Sequence, residues 1–162
     1  MDSNEKAIGI GEICYAIPPI KIITYGLGSC IGIALYDQSA KIAGLSHIML
    51  PYSYAFTNKN NPMKYADLAI PELVKQMEGK GAKIRNIYAK IAGGASMFSF
   101  SDNNPSLEIG ARNAEAVRET LRKLNIPILA EDLGGKSGRT MSIEAYTGKV
   151  YIKTVGKDTK EL

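Results

Sequence analysis

Residues 30–50 read CIGIALYDQSAKIAGLSHIML, with Cys30 to Tyr36 and Ile42 to Leu50 as two apolar, β-branched arms around a turn at Asp37-Gln38-Ser39. Arms joined by so short a link pair antiparallel, because a parallel return needs a crossover of roughly a dozen residues or more. In that hairpin Cys30, at the start of the first arm, comes opposite the far end of the second, where His47 to Leu50 fall. The spacing thus allows the thiol and the imidazole to meet.

Working outward, Ala7 to Ala16 and Lys21 to Tyr25 read as two further strands, making four in the first fifty residues. From Met63 to Glu78, Ala66, Ala69, Ile70, Leu73, Val74 and Met77 fall at three- and four-residue spacing, one helical stripe interrupted by Pro71, where a kink or restart is expected. A second helix runs from Gly110 to Leu124 with Ala114, Val117, Leu121 and Leu124 on one side. Ile84 to Ala92 reads as a strand entering the Gly93-Gly94 turn. Ile126 to Asp132, Thr140 to Tyr146 and Lys149 to Val155 follow, the last two joined by a hairpin turn at Thr147-Gly148. Helices with one apolar face each must cover a sheet from one side. The expected class is α/β (α+β): layered, mainly antiparallel or mixed sheets flanked by two main helices.

A chain of 162 residues is expected to form one domain, 1–162, with 1–5 and 157–162 as flexible tails. With 45% hydrophobic and 22% charged residues it excludes a disordered or collagenous chain. Its apolar runs are far shorter than the roughly 20 residues that span a bilayer, so no membrane insertion is expected. The start, MDSNEKAIGIGE, carries no export signal, which points to the cytoplasm and to free thiols at Cys14 and Cys30. The net charge of +4 is scattered rather than striped, so nucleic acid is not an expected partner. Two cysteines and one histidine make no metal framework. No cofactor motif stands either: Ala130 to Ser137, AEDLGGKS, lacks the first glycine and the following helix of a phosphate loop and reads as a turn.

His47 is the only histidine, so any imidazole chemistry near neutral pH falls to it; the alternative is a hydrogen-bonded core residue among Ala43, Leu45 and Met49. Cys30 follows Gly26-Leu27-Gly28-Ser29, a loop whose free amides are expected to lower a thiol's pKa and to hold an oxyanion; the alternative is a small buried apolar residue, which suits Cys14 better. Thr24, just before the loop, is able to hold the second imidazole nitrogen, or is an ordinary strand residue.

Taken together, TYGLGSCIGIALYD (Thr24 to Asp37), KIAGLSHIMLP (Lys41 to Pro51), KYAD (Lys64 to Asp67), KIAGGASMF (Lys90 to Phe98), IGARN (Ile109 to Asn113) and AEDLGG (Ala130 to Gly135) resemble the CheD family of chemoreceptor glutamine deamidases. The resemblance implies a cytoplasmic thiol hydrolase that converts glutamines of methyl-accepting chemotaxis receptors to glutamates, with a related methylesterase activity, and a layout like that of a bacterial deamidating toxin. It puts the nucleophile on Cys30, the base on His47 and the orienting hydroxyl on Thr24. Gly28, Ser29, Gly93, Gly94 and Ser96 are expected as oxyanion donors or site wall, and Phe98 or Phe100 as docking residues for a partner helix. CheC, a phosphatase of the response regulator, is a further partner that the resemblance implies. Pro71 and Tyr52 depart from the family pattern without touching the three site residues. The competing reading is a non-catalytic adaptor that binds receptors or CheC.

Overall fold

The computed structural model describes residues 3–57, 60–96 and 108–162. The hairpin at its centre is β4 (Ile31–Asp37) and β5 (Ile42–Ile48), antiparallel from Asp37 opposite Ile42 to Ile31 opposite Ile48. The Asp37 side chain fixes the turn, accepting from Ala40 N–H at 3.0 Å. All fourteen residues of the two strands are buried, so both faces of the hairpin are covered.

Different layers cover the two faces, and the period-2 alternation sorts the side chains between them. Ile31, Ile33 and Leu35 pack with Ala69, Ile70 and Leu73 of α1 (Ala66–Glu78) and with Val117 and Leu121 of α2 (Ile109–Lys123). Cys30, Ala34 and Tyr36, with Ala43 and Leu45, face the other way and pack against Ile22, Leu27, Met141 and Ile143. Those residues belong to a second sheet. The central sheet runs β2 (Ile13–Ala16), β5, β4, β6 (Ile87–Gly93), β7 (Ile128–Leu133); the outer sheet runs β1 (Glu5–Ile8), β3 (Lys21–Leu27), β8 (Arg139–Glu144), β9 (Val150–Thr154), β10 (Lys160–Glu161). The order of layers is helices, central sheet, outer sheet. This is the mixed α+β class expected, with both helices on one face.

Several elements differ from expectation. Ala7 to Ala16 is two strands, parted at Gly9 to Glu12 and assigned to different sheets. That detour supplies the crossover that lets β1 pair parallel with β3, and β6–β7 is parallel as well. The helix drawn from Met63 starts at Ala66, after a short 3-10 turn at Pro62–Lys64 whose cap is the Asn61 side chain. No restart occurs at Pro71: one unbroken helix carries it. A proline inside a helix costs about 3 kcal/mol. Each fully buried Ile, Leu or Met of the stripe on either side returns about 1.5–3 kcal/mol, so packing on the sheet prevails. Residues 157–162, expected as a flexible tail, include β10, which pairs with β9, and Lys90 Nζ donates to the Leu162 carbonyl at 2.6 Å. Glu5, placed in the N-terminal tail, pairs with Lys21 in β1–β3.

Candidate functional site

The outer and central sheets meet around Thr24, His47 and Cys30. Close approach is possible because Gly32, opposite His47, has no side chain: a Cβ there would lie 2.6 Å from Met141 Sδ and 3.1 Å from Leu27 Cδ1. Thr24 reaches across from β3, and its Oγ1 lies 2.7 Å from His47 Nδ1 on β5 and 2.9 Å from the Ile8 carbonyl. Both side chains have no solvent exposure.

These two contacts decide the histidine tautomer. A threonine hydroxyl has one hydrogen, and a carbonyl only accepts. The hydroxyl therefore donates to Ile8, and Nδ1–H donates to Thr24. Nε2 is left as a bare lone pair, buried and, among the described residues, without a hydrogen-bond partner. Burial also lowers the His47 pKa from 6.5 to about 4, so the ring is neutral at pH 7. A neutral imidazole, oriented from one side and open on the other, is in the protonation state a general base requires, and burial makes it a weaker base than a free imidazole.

Cys30 precedes β4 on the face that Ala34 and Tyr36 share with Ala43 and Leu45. Extending the ladder from Ile31 opposite Ile48 sets Cys30 against Met49, so His47 is its diagonal neighbour on that face. Diagonal partners lie about 7–8 Å apart at the backbone, within reach of long or aromatic side chains. No hydrogen bond joins Sγ to Nε2 here; such contacts commonly tighten only when substrate binds. The expected lowering of the thiol pKa does not occur. Cys30 is 7% exposed, and burial pushes its thiol up by more than its own backbone N–H pulls it down. The resting pair is thus thiol and neutral imidazole, and the proton must leave the sulfur as the sulfur attacks. Cys14 donates to the Tyr15 carbonyl at 3.3 Å, in keeping with a packing role.

The glycine loop is braced from three sides. Gly28 N–H donates to the Gly26 carbonyl, Ala95 N–H to the Gly28 carbonyl and Gly94 N–H to the Cys30 carbonyl. With their amides engaged, Gly28 and Gly94 form structure around the sulfur rather than free oxyanion donors. Gly93 has φ 118°, and a Cβ there would lie 2.2 Å from the Cys30 carbonyl oxygen. Arg139 and Gly134 N–H both donate to the Gly93 carbonyl, at 3.1 and 2.9 Å, and Ser96 N–H donates to Gly135. The AEDLGG segment therefore buttresses the wall and, as expected, turns without a phosphate-loop helix. Phe98 and Phe100 lie outside the described residues. Tyr52 donates to Glu119 of α2 at 2.8 Å and stacks on Tyr54.

From sequence, Asn113 stands out only as the last residue of the IGARN block that opens the second helix. Asn113, fully buried on α2, donates through Nδ2 to the Ser29 carbonyl at 3.0 Å and the Met49 carbonyl at 2.9 Å. Its signal is a polar residue one turn before Val117, on the apolar side of an amphipathic helix.

A two-sheet α+β domain holding a buried thiol, an imidazole and a hydroxyl at its sheet interface is the class that fold and site define. The CheD chemotactic sensory transduction family matches residues 49–154. A Clostridium botulinum (strain Hall) protein named "Probable chemoreceptor glutamine deamidase CheD" is 59% identical over 162 residues, covering all of both chains. A protein of the same name from Clostridium botulinum strain Eklund 17B is 57% identical over the same span. The chain belongs to the CheD family. Among solved structures, the Bacillus licheniformis hypothetical protein YfiH is similar at 16% identity with a TM-score of 0.48, covering 75% of this chain and 49% of that one. Among the described residues no helix is long and apolar enough to cross a membrane, and no cluster of three His, Cys, Asp or Glu side chains offers a metal site.

Proposed function

We propose that this protein is a cytoplasmic chemoreceptor glutamine deamidase in which Cys30 is the nucleophile, His47 the general base and Thr24 the residue that orients the base. The single observation that carries the reading is the Ile8–Thr24–His47 hydrogen-bond chain, which leaves Nε2 unprotonated on the face that Cys30 shares. A purely structural histidine would have both nitrogens bonded. The family and its full-length relatives support the substrate class.

In the reaction His47 Nε2 removes the Cys30 proton while sulfur attacks the glutamine side-chain carbonyl, and the carbonyl electron pair moves to oxygen. The Cys30 N–H, which lies against the sulfur, is the donor assigned to that oxyanion. Collapse breaks the C–N bond, the imidazolium supplies the proton to the departing ammonia, and a thioester remains. His47 then takes a proton from water, hydroxide adds to the thioester carbonyl, and glutamate leaves as the sulfur regains its proton. No metal or cofactor enters these steps. Gly93, Gly94 and Ser96 form a wall beside the sulfur, and the same chemistry extends to glutamate methyl esters, with methanol as leaving group.

Chemoreceptor fragments incubated with the protein should gain the mass that marks Gln becoming Glu at particular positions, and Cys30→Ala should abolish it. Deamidation that survives Cys30→Ala would overturn the mechanism. Binding to receptor or CheC without turnover by the unsubstituted protein would select the adaptor reading instead.

A further inference from the structure

Asn113 lies on α2, in the helix layer, yet its carboxamide reaches the two chain segments at the ends of β4 and β5 that carry the reacting groups. The Ser29 carbonyl is the one immediately before the nucleophile, and the Met49 carbonyl is two residues past the base. Both are acceptors, so the amide orientation is unambiguous: the NH2 must face them, and Oδ1 must point away. Oδ1 is then buried without a partner among the described residues. Side chains left in that condition inside a well-packed core call for an explanation beyond packing.

We infer that Asn113 is a positioning residue for the deamidase reaction, a clamp that sets the Cys30-to-His47 geometry and aims the Cys30 N–H. The inference rests on the proposed function for its kinetic consequence. Its logic is local. A trans peptide carries its C=O and N–H on opposite sides. Holding the Ser29 carbonyl toward α2 turns the Cys30 N–H the other way, toward its own sulfur, where that N–H favours the thiolate. Holding the Met49 carbonyl with the second hydrogen of the same NH2 group ties the end of β5 to the glycine loop. Thr24 holds the imidazole from the outer sheet and Asn113 holds the loop from the helix layer, so the reacting pair is braced from both neighbouring layers.

The test uses Asn113→Ala and Asn113→Asp in the full chain, with kcat and KM for a glutamine-bearing receptor fragment. Both should lower kcat by about 100-fold, the cost typical of misplacing a reacting group by an ångström, while KM stays within a factor of about two. Asn113→Asp has nearly the volume of asparagine but turns acceptor oxygens toward two carbonyls, so it removes the clamp while keeping the side-chain volume, and it should lose kcat as Asn113→Ala does. Unchanged kcat in both variants, or a loss confined to KM, overturns the inference. Where the variants fail to fold, NMR on the unsubstituted protein decides. The Asn113 side-chain NH2 should be protected from hydrogen exchange; exchange at the rate of a solvent-exposed amide overturns the clamp. Absence of turnover in the unsubstituted protein, or its survival in Cys30→Ala, would instead defeat the proposed function, and the exchange measurement would still judge the clamp.

Discussion

Thr24→Val removes one hydroxyl, which leaves the fully buried His47 Nδ1–H without its acceptor and takes one donor from the Ile8 carbonyl of the β1–β3 ladder. The orphaned N–H costs about 1–3 kcal/mol and the carbonyl's lost bond about 0.5–1.5 kcal/mol, and the extra methyl returns about 0.8 kcal/mol of apolar burial. The expected net loss is about 1–4 kcal/mol, a sizeable share of the roughly 5–15 kcal/mol that holds a domain together. The kinetic effect is separate from the stability effect. Without an acceptor at Nδ1, the proton is no longer fixed there, and the fraction of rings with a bare Nε2 falls while the ring gains freedom to rotate. We expect kcat to fall by about 100-fold or more. Thr24→Ser keeps the oxygen and should stay within about tenfold of wild type, with about 1 kcal/mol lost for the missing methyl. Urea denaturation gives the first quantity and mass spectrometry of a receptor fragment at early times gives the second. A Thr24→Val protein within about 0.5 kcal/mol of wild type and fully active would refute the hydrogen-bond chain as the organiser of the site.

The buried imidazole makes stability depend on pH. The unfolded chain binds a proton near pH 6.5 and the folded one only near 4, so stability is intact above 6.5, falls as pH drops toward 4 and changes no further below it through this group. The difference amounts to about 3 kcal/mol, and denaturant titrations at pH 7 and pH 4 of wild type and His47→Gln should differ by that amount. By the same shift, kcat/KM should keep its acid limb near pH 4 rather than near 6.5, read from a pH profile in the range where the protein stays folded. Gly93→Ala should destabilise by roughly 3 kcal/mol or more, since a Cβ would meet the Cys30 carbonyl oxygen at 2.2 Å from a backbone at φ 118°; thermal melts would measure it. Arg139→Met, which strips the Gly93 and Gly134 carbonyls and Asp132 of a 7%-exposed partner, should cost about 3 kcal/mol in the same melts.

The hairpin was readable because its signal is local: alternating apolar arms around Asp37-Gln38-Ser39 need no knowledge of distant segments, and the placing of Cys30 opposite the stretch His47 to Leu50 followed from the turn alone. The α1 and α2 stripes were readable for the same reason. What escaped depends on contacts between layers. Gly9 to Glu12 looks like a weak spot in one strand, and only the competition between two sheet edges splits it into β1 and β2. Apart from Asp37, Ser46 and His47, β4 and β5 carry apolar residues on both faces, which leaves both faces to be covered without saying by what. Thr24 was recognisable as a hydroxyl near the glycine loop, whereas its bond to Nδ1 exists because β3 and β5 lie in opposing sheets, held close by Gly32. The thiol's environment was misjudged for a related reason. Glycine loops expose amides in isolation, but here Gly28 and Gly94 spend theirs on neighbouring carbonyls and the sulfur is enclosed.

The claim on which the account turns is that the glutamine carbonyl passes through a thioester on Cys30. Hydroxylamine intercepts thioesters, so adding it during turnover on a receptor fragment measures that claim most directly. The account predicts glutamyl hydroxamate at the modified positions, formed in competition with glutamate by the unsubstituted protein and not formed by Cys30→Ala. Glutamate produced at an unchanged rate with no hydroxamate, in either protein, would contradict it.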